Sequence, residues 1–239
     1  IGTAFGLDTP ESLYRLLEHL DSRGYQVGNI SKDGQTLVES LVRQLTMDGR
    51  WVDPDQIRTS SVDIVSPGTY ETWFRDLEES FQTAIRDEWG EPPDHSIAIP
   101  GVQFGNVLVT VQPPRGFEAD PSKVYHDSTL HPPHEYVAFY AWLQECFNAH
   151  AVVHLGTHGS LEWLPGKTVG LDAASAADQL IDSLPNVYPY IINNPGEGAQ
   201  AKRRSYAVIV DHLTPPMRTA GTYDDLGDLE VLVREYRLT

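Results

Sequence analysis

The chain has 239 residues, 40% of them hydrophobic, enough to bury a sizeable core in one large or two small domains. Its 34 acids against 17 bases give a net charge of −17, which excludes a general nucleic-acid binder with a basic face but leaves room for a local basic pocket. A single cysteine excludes an internal disulfide, no apolar run approaches the ~20 residues of a membrane span, and no secretory signal is visible, so a cytoplasmic protein is expected.

The first residues, from Ile1, already read as mid-domain sequence, so the chain reads as a piece of a longer protein. Residues 1–95 read as a mainly helical segment. Thr9-Pro10-Glu11 predicts a helix start, with Thr9 as N-cap and Pro10 at the first helical position. Leu13, Leu16, Leu17 and Leu20 then share a face, and Gly24 stops the helix. Leu37, Val38, Leu41, Val42 and Leu45 repeat the pattern. A third helix is predicted from near Thr69 to Gly90, burying Trp73, Phe74, Leu77, Phe81 and Ile85. These helices carry no evident chemistry, and His19 reads as a surface histidine.

Composition changes near Glu91-Pro92-Pro93, and residues 96–239 read as an α/β core. Strands are predicted over 106–112 (NVLVTVQ, halted by Pro113-Pro114), 151–155 (AVVHL), 187–192 (VYPYII) and 206–210 (YAVIV), with a helix over 133–148. The fold class is therefore α/β, a mostly parallel sheet with crossover helices, preceded by the helical segment. Ligands of such sheets bind beyond the carboxyl ends of the strands. Here those ends carry Arg115, His154 with His158, Asn193-Asn194 and Asp211-His212.

The stretch 150–168, HAVVHLGTHGSLEWLPGKT, sets His150, His154, His158 and Glu162 four apart. Glycines at 156, 159 and 166 interrupt it, so it reads as a strand end and a turn. Imidazole and carboxylate suit borderline divalent ions such as cobalt or zinc better than magnesium. The protease motif HExxH fails, because Leu155 follows the first histidine. His154, His158 and Glu162 are thus candidates for metal or proton-transfer chemistry, and His150 for capping a helix end. Gly166-Lys167-Thr168 resembles the tail of a phosphate loop, but Leu161 stands where the earlier glycine belongs, so any ATP use belongs to a partner. Lys167 is either an acidic-ligand contact or a surface lysine.

Lys202-Arg203-Arg204 is the basic cluster of an acidic chain, suited either to carboxylate recognition or to a solvated helix face. His126, His131 and His134 lie within nine residues, as further metal ligands or as members of a rigid loop held by Pro132-Pro133. Trp142, Trp163, Tyr188 and Tyr190 are aromatics for stacking on a flat ligand or for the core.

VVHLGTHGSLEWLPGKTVGL, LPNVYPYIINNPGEG, QAKRRSYAVIVDHLTPP and GVQFGNVLVTVQPPRGFEADPSKVYHDSTLHPPHEYVAFYAWL together resemble the large-subunit family of cobaltochelatase and magnesium chelatase, the aerobic cobalt branch in particular. The likeness covers residues 100–217, is weaker over 1–99, and marks the chain as a central piece of a longer subunit. At 172–177 (DAASAA) related sequences often carry a Cys-containing turn, and no thiolate is available here. The resemblance implies a tetrapyrrole-binding, metal-inserting subunit that places Co²⁺ into hydrogenobyrinic acid a,c-diamide on the way to cobalamin. It implies ATP and Mg²⁺ on partners, an AAA+ ATPase and a companion metal-ion-dependent adhesion-type subunit, with no nucleic acid or membrane.

In that frame Glu162 is the expected proton acceptor or metal guide. His154 and His158 deliver metal or relay protons, with His126 and His131 as further ligands. Arg115, Lys167, Lys202, Arg203, Arg204 and Tyr188 are expected to contact the macrocycle. The competing expectations are a magnesium chelatase large subunit acting on protoporphyrin IX, a non-catalytic tetrapyrrole-binding scaffold, and a stand-alone zinc hydrolase.

Overall fold

A computed structural model describes residues 7–45, 54–116, 127–156, 159–189 and 195–211, together with 232, 233 and 236. The first helix, α1 (Thr9–Ser22), starts one residue earlier than expected. Asp8, not Thr9, is the N-cap: its Oδ1 accepts the Glu11 N–H at 3.0 Å. Leu17 of α1 packs on Leu37 and Leu41 of α2 (Gly34–Leu45) in a small satellite core.

The single helix expected from Thr69 to Gly90 is two helices. After α3 (Pro54–Ser60) and strand β1 (Ser61–Val65) come α4 (Pro67–Arg75) and α5 (Glu79–Trp89). Glu78 breaks the run. Its Oε2 accepts the Ser80 and Phe81 N–H groups at 2.8 and 3.1 Å, so a new N-terminus forms there. The apolar face continues across the break because both helices bury residues into one core, which is why the sequence pattern looked unbroken. Within this mainly helical segment, β1 is a strand that the sequence reading did not include: it pairs antiparallel with β2 (Ile97–Pro100).

The strand expected over 106–112 is shorter and belongs elsewhere. Strands β3 (Val102–Phe104) and β4 (Val107–Val109) form an antiparallel hairpin, not the first strand of the parallel sheet. The cause is Gly105, whose φ of 58° supplies the positive dihedral of a two-residue hairpin turn. A Cβ on Gly105 would fall 2.2 Å from the Gln26 carbonyl oxygen, because the hairpin tip sits on the loop after α1. Gly105→Ala therefore meets both a strained dihedral and a backbone clash. A loss of at least about 1–3 kcal/mol is expected, to be read as a lower urea midpoint; an unshifted midpoint would show that the tip is not held as described.

Beyond the hairpin, α6 (His134–Glu145) leads to β5 (Val152–Val153), a 3₁₀ turn (Leu161–Trp163), α7 (Ala176–Ile181), β6 (Asn186–Pro189), α8 (Pro195–Arg204) and β7 (Val208–Val210). Strands β5, β6 and β7 make a parallel sheet in that order, joined by crossover segments, as the sequence suggested. Val153, Val187 and Val208 are in register and share one face, on which Val153 and Val208 are 42% and 63% exposed. The other face carries Tyr188, buried with Ala201, Ala207 and Ile209.

Helix α6 is the axis of the structure. Eight of its twelve residues are buried, which makes it apolar nearly all round and places it centrally. The main core joins Val65, Tyr70, Phe74, Phe81, Ile85, Ile97 and Ile99 to Tyr136–Tyr140, Trp142 and Leu143 of α6 and to Leu161, Leu164 and α7. It takes residues from both sides of position 95. Among the described residues, no helix is long and apolar enough to cross a membrane.

Candidate functional site

The site lies where β5 and β6 end against α6. Tyr136 and Tyr140, one helical turn apart, leave α6 toward the turn that carries Glu162. The His154 N–H donates to the Val187 carbonyl at 2.8 Å, extending the β5–β6 ladder by one residue. Strand alternation then puts the His154 ring on the face of Tyr188, with ring centroids 6.0 Å apart. Its Nδ1 lies 2.7 Å from Asn186 Oδ1 and its Nε2 lies 3.0 Å from the Tyr140 hydroxyl. Burial pulls the imidazole below its ordinary pKa, against the Asn186 hydrogen bond and the Glu162 carboxylate, which favour the cation. Burial thus favours the neutral form of the ring.

Glu162 is buried, 4% exposed, on the 3₁₀ turn. Its Oε1 accepts from the Gly159 N–H at 3.0 Å and from the Tyr188 hydroxyl at 3.3 Å. Its Oε2 has no hydrogen-bond donor among the described residues. Gly159 lets the carboxylate fold back on its own turn, since a Cβ there would meet Glu162 Oε2 at 2.9 Å. The Arg204 guanidinium feels the Glu162 charge and donates to the Leu164 carbonyl at 2.6 Å. A buried carboxylate with one oxygen held and the other open, next to a neutral imidazole, is a group that can take up a proton or hold a passing cation.

The match to the CobN/Magnesium Chelatase family model runs over residues 1–239. The chain belongs to that family. The aerobic cobaltochelatase protein CobN of Pseudomonas aeruginosa is 43% identical over 242 residues, covering 99% of this chain and 19% of that protein. A magnesium-chelatase protein of Cereibacter sphaeroides is 39% identical over 245 residues, again 99% of this chain and 19% of the relative. The solved catalytic subunit of cobaltochelatase from Mycobacterium tuberculosis superposes with a TM-score of 0.78 at 42% identity, covering 99% of this chain and 21% of that one. The chain thus spans about a fifth of the length of these relatives.

In this family member, the residues singled out from sequence fall into separate places. His154, Glu162 and Tyr188 come together. His158 and His126 lie outside the described residues, as do Tyr190 and His212. His131 is tied to α5, where its backbone N–H and Nδ1 reach Glu88 at 2.7 and 3.2 Å. Among the described residues, no cluster of three or more His, Cys, Asp or Glu groups forms a metal-holding set.

The cations also divide. Arg115 is buried, 1% exposed, and its Nη2 donates to the Asp127 and Leu130 carbonyls at 2.7 Å each, fastening the segment that leads to His131. Lys202 and Arg203 are exposed on the last turn of α8, whereas Arg204 turns inward. Lys167 is exposed and pairs with Asp172 at 3.0 Å. His150 is an exposed loop residue five positions beyond α6. Trp142 is a core residue whose indole N–H donates to Asp63 at 2.7 Å.

Residues not singled out from sequence complete the site. The Gln112 Nε2–H donates to the Tyr140 hydroxyl at 2.8 Å, while its Oε1 accepts the Ser160 N–H at 2.8 Å. The Tyr136 hydroxyl lies 2.9 Å from Ser160 Oγ. Asn186, 2% exposed, donates from Nδ2 to the Ser205 carbonyl at 2.7 Å. The sequence signal for Gln112 and Asn186 was a polar amide beside an apolar run, where a buried amide needs partners.

A second buried histidine sits at the start of α6. The Tyr70 hydroxyl lies 2.7 Å from His134 Nδ1, and His134 Nε2 lies 3.1 Å from the Gly90 carbonyl. Burial pulls His134 below the ordinary value of 6.5, against the Gly90 hydrogen bond. The unfolded ring therefore binds a proton more readily than the folded one. The stability this pair contributes is fully present above pH 6.5 and falls as pH drops below it toward the depressed folded value. The urea midpoint is expected to fall between about pH 7.5 and about pH 5.5, and to fall less steeply in His134→Gln. Equal slopes in the two proteins would remove His134 from the acid response.

Proposed function

We propose that this chain is a central part of a tetrapyrrole-binding, metal-inserting chelatase subunit, and that its metal is Co²⁺ and its ring hydrogenobyrinic acid a,c-diamide. The observation that carries the reading is Glu162, a buried carboxylate with one oxygen anchored and, among the described residues, no donor on the other. Inserting a divalent ion expels the pyrrole N–H protons, which need an acceptor inside a site that excludes water. Glu162 is that acceptor or guides the metal. Neutral His154 stands beside it as a proton relay, and His158 is assigned with it to metal delivery. His126 and His131 stand as candidate further ligands on the loop before α6.

Lys202 and Arg203, exposed at the end of α8, are suited to meet the peripheral carboxylates of the macrocycle. Arg204 places positive charge near Glu162, and Arg115 lies close enough to Arg204 to feel its charge. Lys167, on the same loop, meets an acidic ring substituent by exchanging its partner Asp172. ATP hydrolysis falls to an AAA+ partner and its adhesion-type companion, which agrees with the incomplete phosphate loop at Gly166-Lys167-Thr168.

Nitrogen and carboxylate donors in one site favour cobalt over magnesium, and relatives of both kinds set the alternative. The test is an absorbance titration of the full-length protein with hydrogenobyrinic acid a,c-diamide and with protoporphyrin IX, followed by insertion assays with Co²⁺ and Mg²⁺ and the ATPase partners. Tighter binding of the corrinoid precursor and cobalt-dependent turnover are expected. Preference for protoporphyrin with Mg²⁺ turnover would transfer the chain to the magnesium branch.

A further inference from the structure

We infer that Gln112 and Asn186 are positioning residues that fix the tautomer of His154, by locking a one-way chain of hydrogen bonds between two backbone groups. At one end is the Ser160 N–H, which can only donate. At the other is the Ser205 carbonyl, which can only accept. Between them run Gln112, Tyr140, His154 and Asn186, each within 2.7–3.0 Å of the next.

The fixed ends decide the two amides and the ring between them, while the neighbouring Tyr136 hydroxyl donates to the Tyr140 oxygen and leaves the Tyr140 hydrogen for the ring. The Ser160 N–H takes Gln112 Oε1, so the Gln112 amide nitrogen faces Tyr140 and donates to its oxygen. The Tyr140 O–H is then directed to His154 Nε2. From the other end, Ser205 takes the Asn186 amide hydrogen, so Asn186 Oδ1 faces His154 Nδ1 and must receive a hydrogen from it. Both derivations meet at the same ring state: Nδ1 protonated, Nε2 bare. Neither amide can flip without setting like groups against a backbone N–H or carbonyl, each a buried conflict.

The consequence is chemical. His154 presents its lone pair through Nε2, capped by the Tyr140 hydroxyl, and keeps Nδ1 turned into the sheet. Any proton or cation it takes passes at the Nε2 edge, where Tyr140 must first release it. The same chain reaches Ser160, two residues from Glu162 on one turn, so the imidazole and the carboxylate are held by a common frame. What the proton serves rests on the chelatase reading; the ring state does not.

The experiment is ¹⁵N spectroscopy of the full-length protein labelled at histidine, without tetrapyrrole or partner, with His154 assigned by the signal lost in His154→Gln. At neutral pH the wild type is expected to show a pyrrole-type Nδ1 and an imine-type Nε2, the reverse of the tautomer that free histidine favours. Gln112→Glu replaces the donor to Tyr140 with an acceptor of the same shape. It turns the Tyr140 hydrogen away from the ring and is expected to move Nε2 to the pyrrole-type region. Asn186→Leu combined with Tyr140→Phe removes the acceptor for Nδ1–H and the donor to Nε2 together and is expected to move the hydrogen to Nε2, which keeps the test available should the first variant fold poorly. Tyr140→Phe leaves Asn186 in place and is expected to keep Nε2 imine-type. A wild-type ring with hydrogen on Nε2, or an imine-type Nε2 surviving both in Gln112→Glu and in the Tyr140→Phe, Asn186→Leu double variant, overturns the inference. Metal insertion that does not respond to Glu162→Gln would remove Glu162 from the proposed chemistry while leaving these spectra untouched.

Discussion

Glu162→Gln in the full-length protein is expected to slow metal insertion about 10²–10⁴-fold while leaving tetrapyrrole affinity nearly unchanged. The substitution is close to isosteric, and the retained oxygen still accepts from the Gly159 N–H and the Tyr188 hydroxyl. The turn over Leu161–Trp163 therefore keeps its shape. What disappears is the basic oxygen, Oε2, together with the negative charge that Arg204 feels. A loss of that size corresponds to roughly 3–5 kcal/mol of transition-state stabilisation. Given the role proposed for this buried carboxylate at the reacting centre, the loss should fall on kcat and leave KM for the ring in place. Insertion at the wild-type rate would remove Glu162 from the chemistry. A raised KM with unchanged kcat would make it a ring-binding residue instead.

The neighbouring charges sharpen the comparison. Lys202→Ala and Arg203→Ala act on exposed side chains, so they are expected to weaken ring binding without changing kcat. The proposed roles of Glu162 in chemistry and of the α8 cations in recognition are separated by this pair of results. Arg204 is a poor choice for the same comparison, because its guanidinium is buried and holds the Leu164 carbonyl. Removing it would disturb the turn that carries Glu162.

Much of this arrangement was legible in the sequence, and the parts that were not have physical reasons. The glycines at 156, 159 and 166 announced a turn, and Gly156 and Gly166 adopt φ of 158° and 142°. The parallel strands were visible as short apolar runs, although β5 and β7 are two or three residues shorter than the runs that announce them, since pairing stops before the apolar pattern does. The hairpin at Val102–Val109 was missed because a β-branched run looks alike whether its partner is parallel or antiparallel; only the turn at Gly105 distinguishes them. The break at Glu78 was missed because side-chain capping overrides an unbroken apolar period. At the site, titratable residues drew the eye. The amides of Gln112 and Asn186, which cannot titrate, set the direction of the hydrogen bonds. Their role depends on contacts 28 and 19 positions away, which no local pattern encodes.

Phe74→Ala is expected to destabilise the protein by about 3–5 kcal/mol, the range for emptying a buried aromatic site. Phe74 is fully buried on α4, its ring 5.9 Å from Tyr70 and 5.2 Å from His134, with the Arg86 guanidinium 5.0 Å from its centroid. Its position makes the effect reach the site. His134 is the first residue of α6, and the same helix supplies Tyr136 and Tyr140 to the hydrogen bonds around Ser160 and His154. A cavity at Phe74 loosens the seat of that N-terminus, so the amides of α6 should exchange faster and the His154 ring signals should broaden. Were residues 1–95 and 96–239 independent, the same substitution would melt the helical segment alone and leave α6 protected. The continuous cluster from Val65 through Tyr140 argues for the first outcome, because neither half can close its apolar surface without the other. Hydrogen exchange across α6 in Phe74→Ala decides between them.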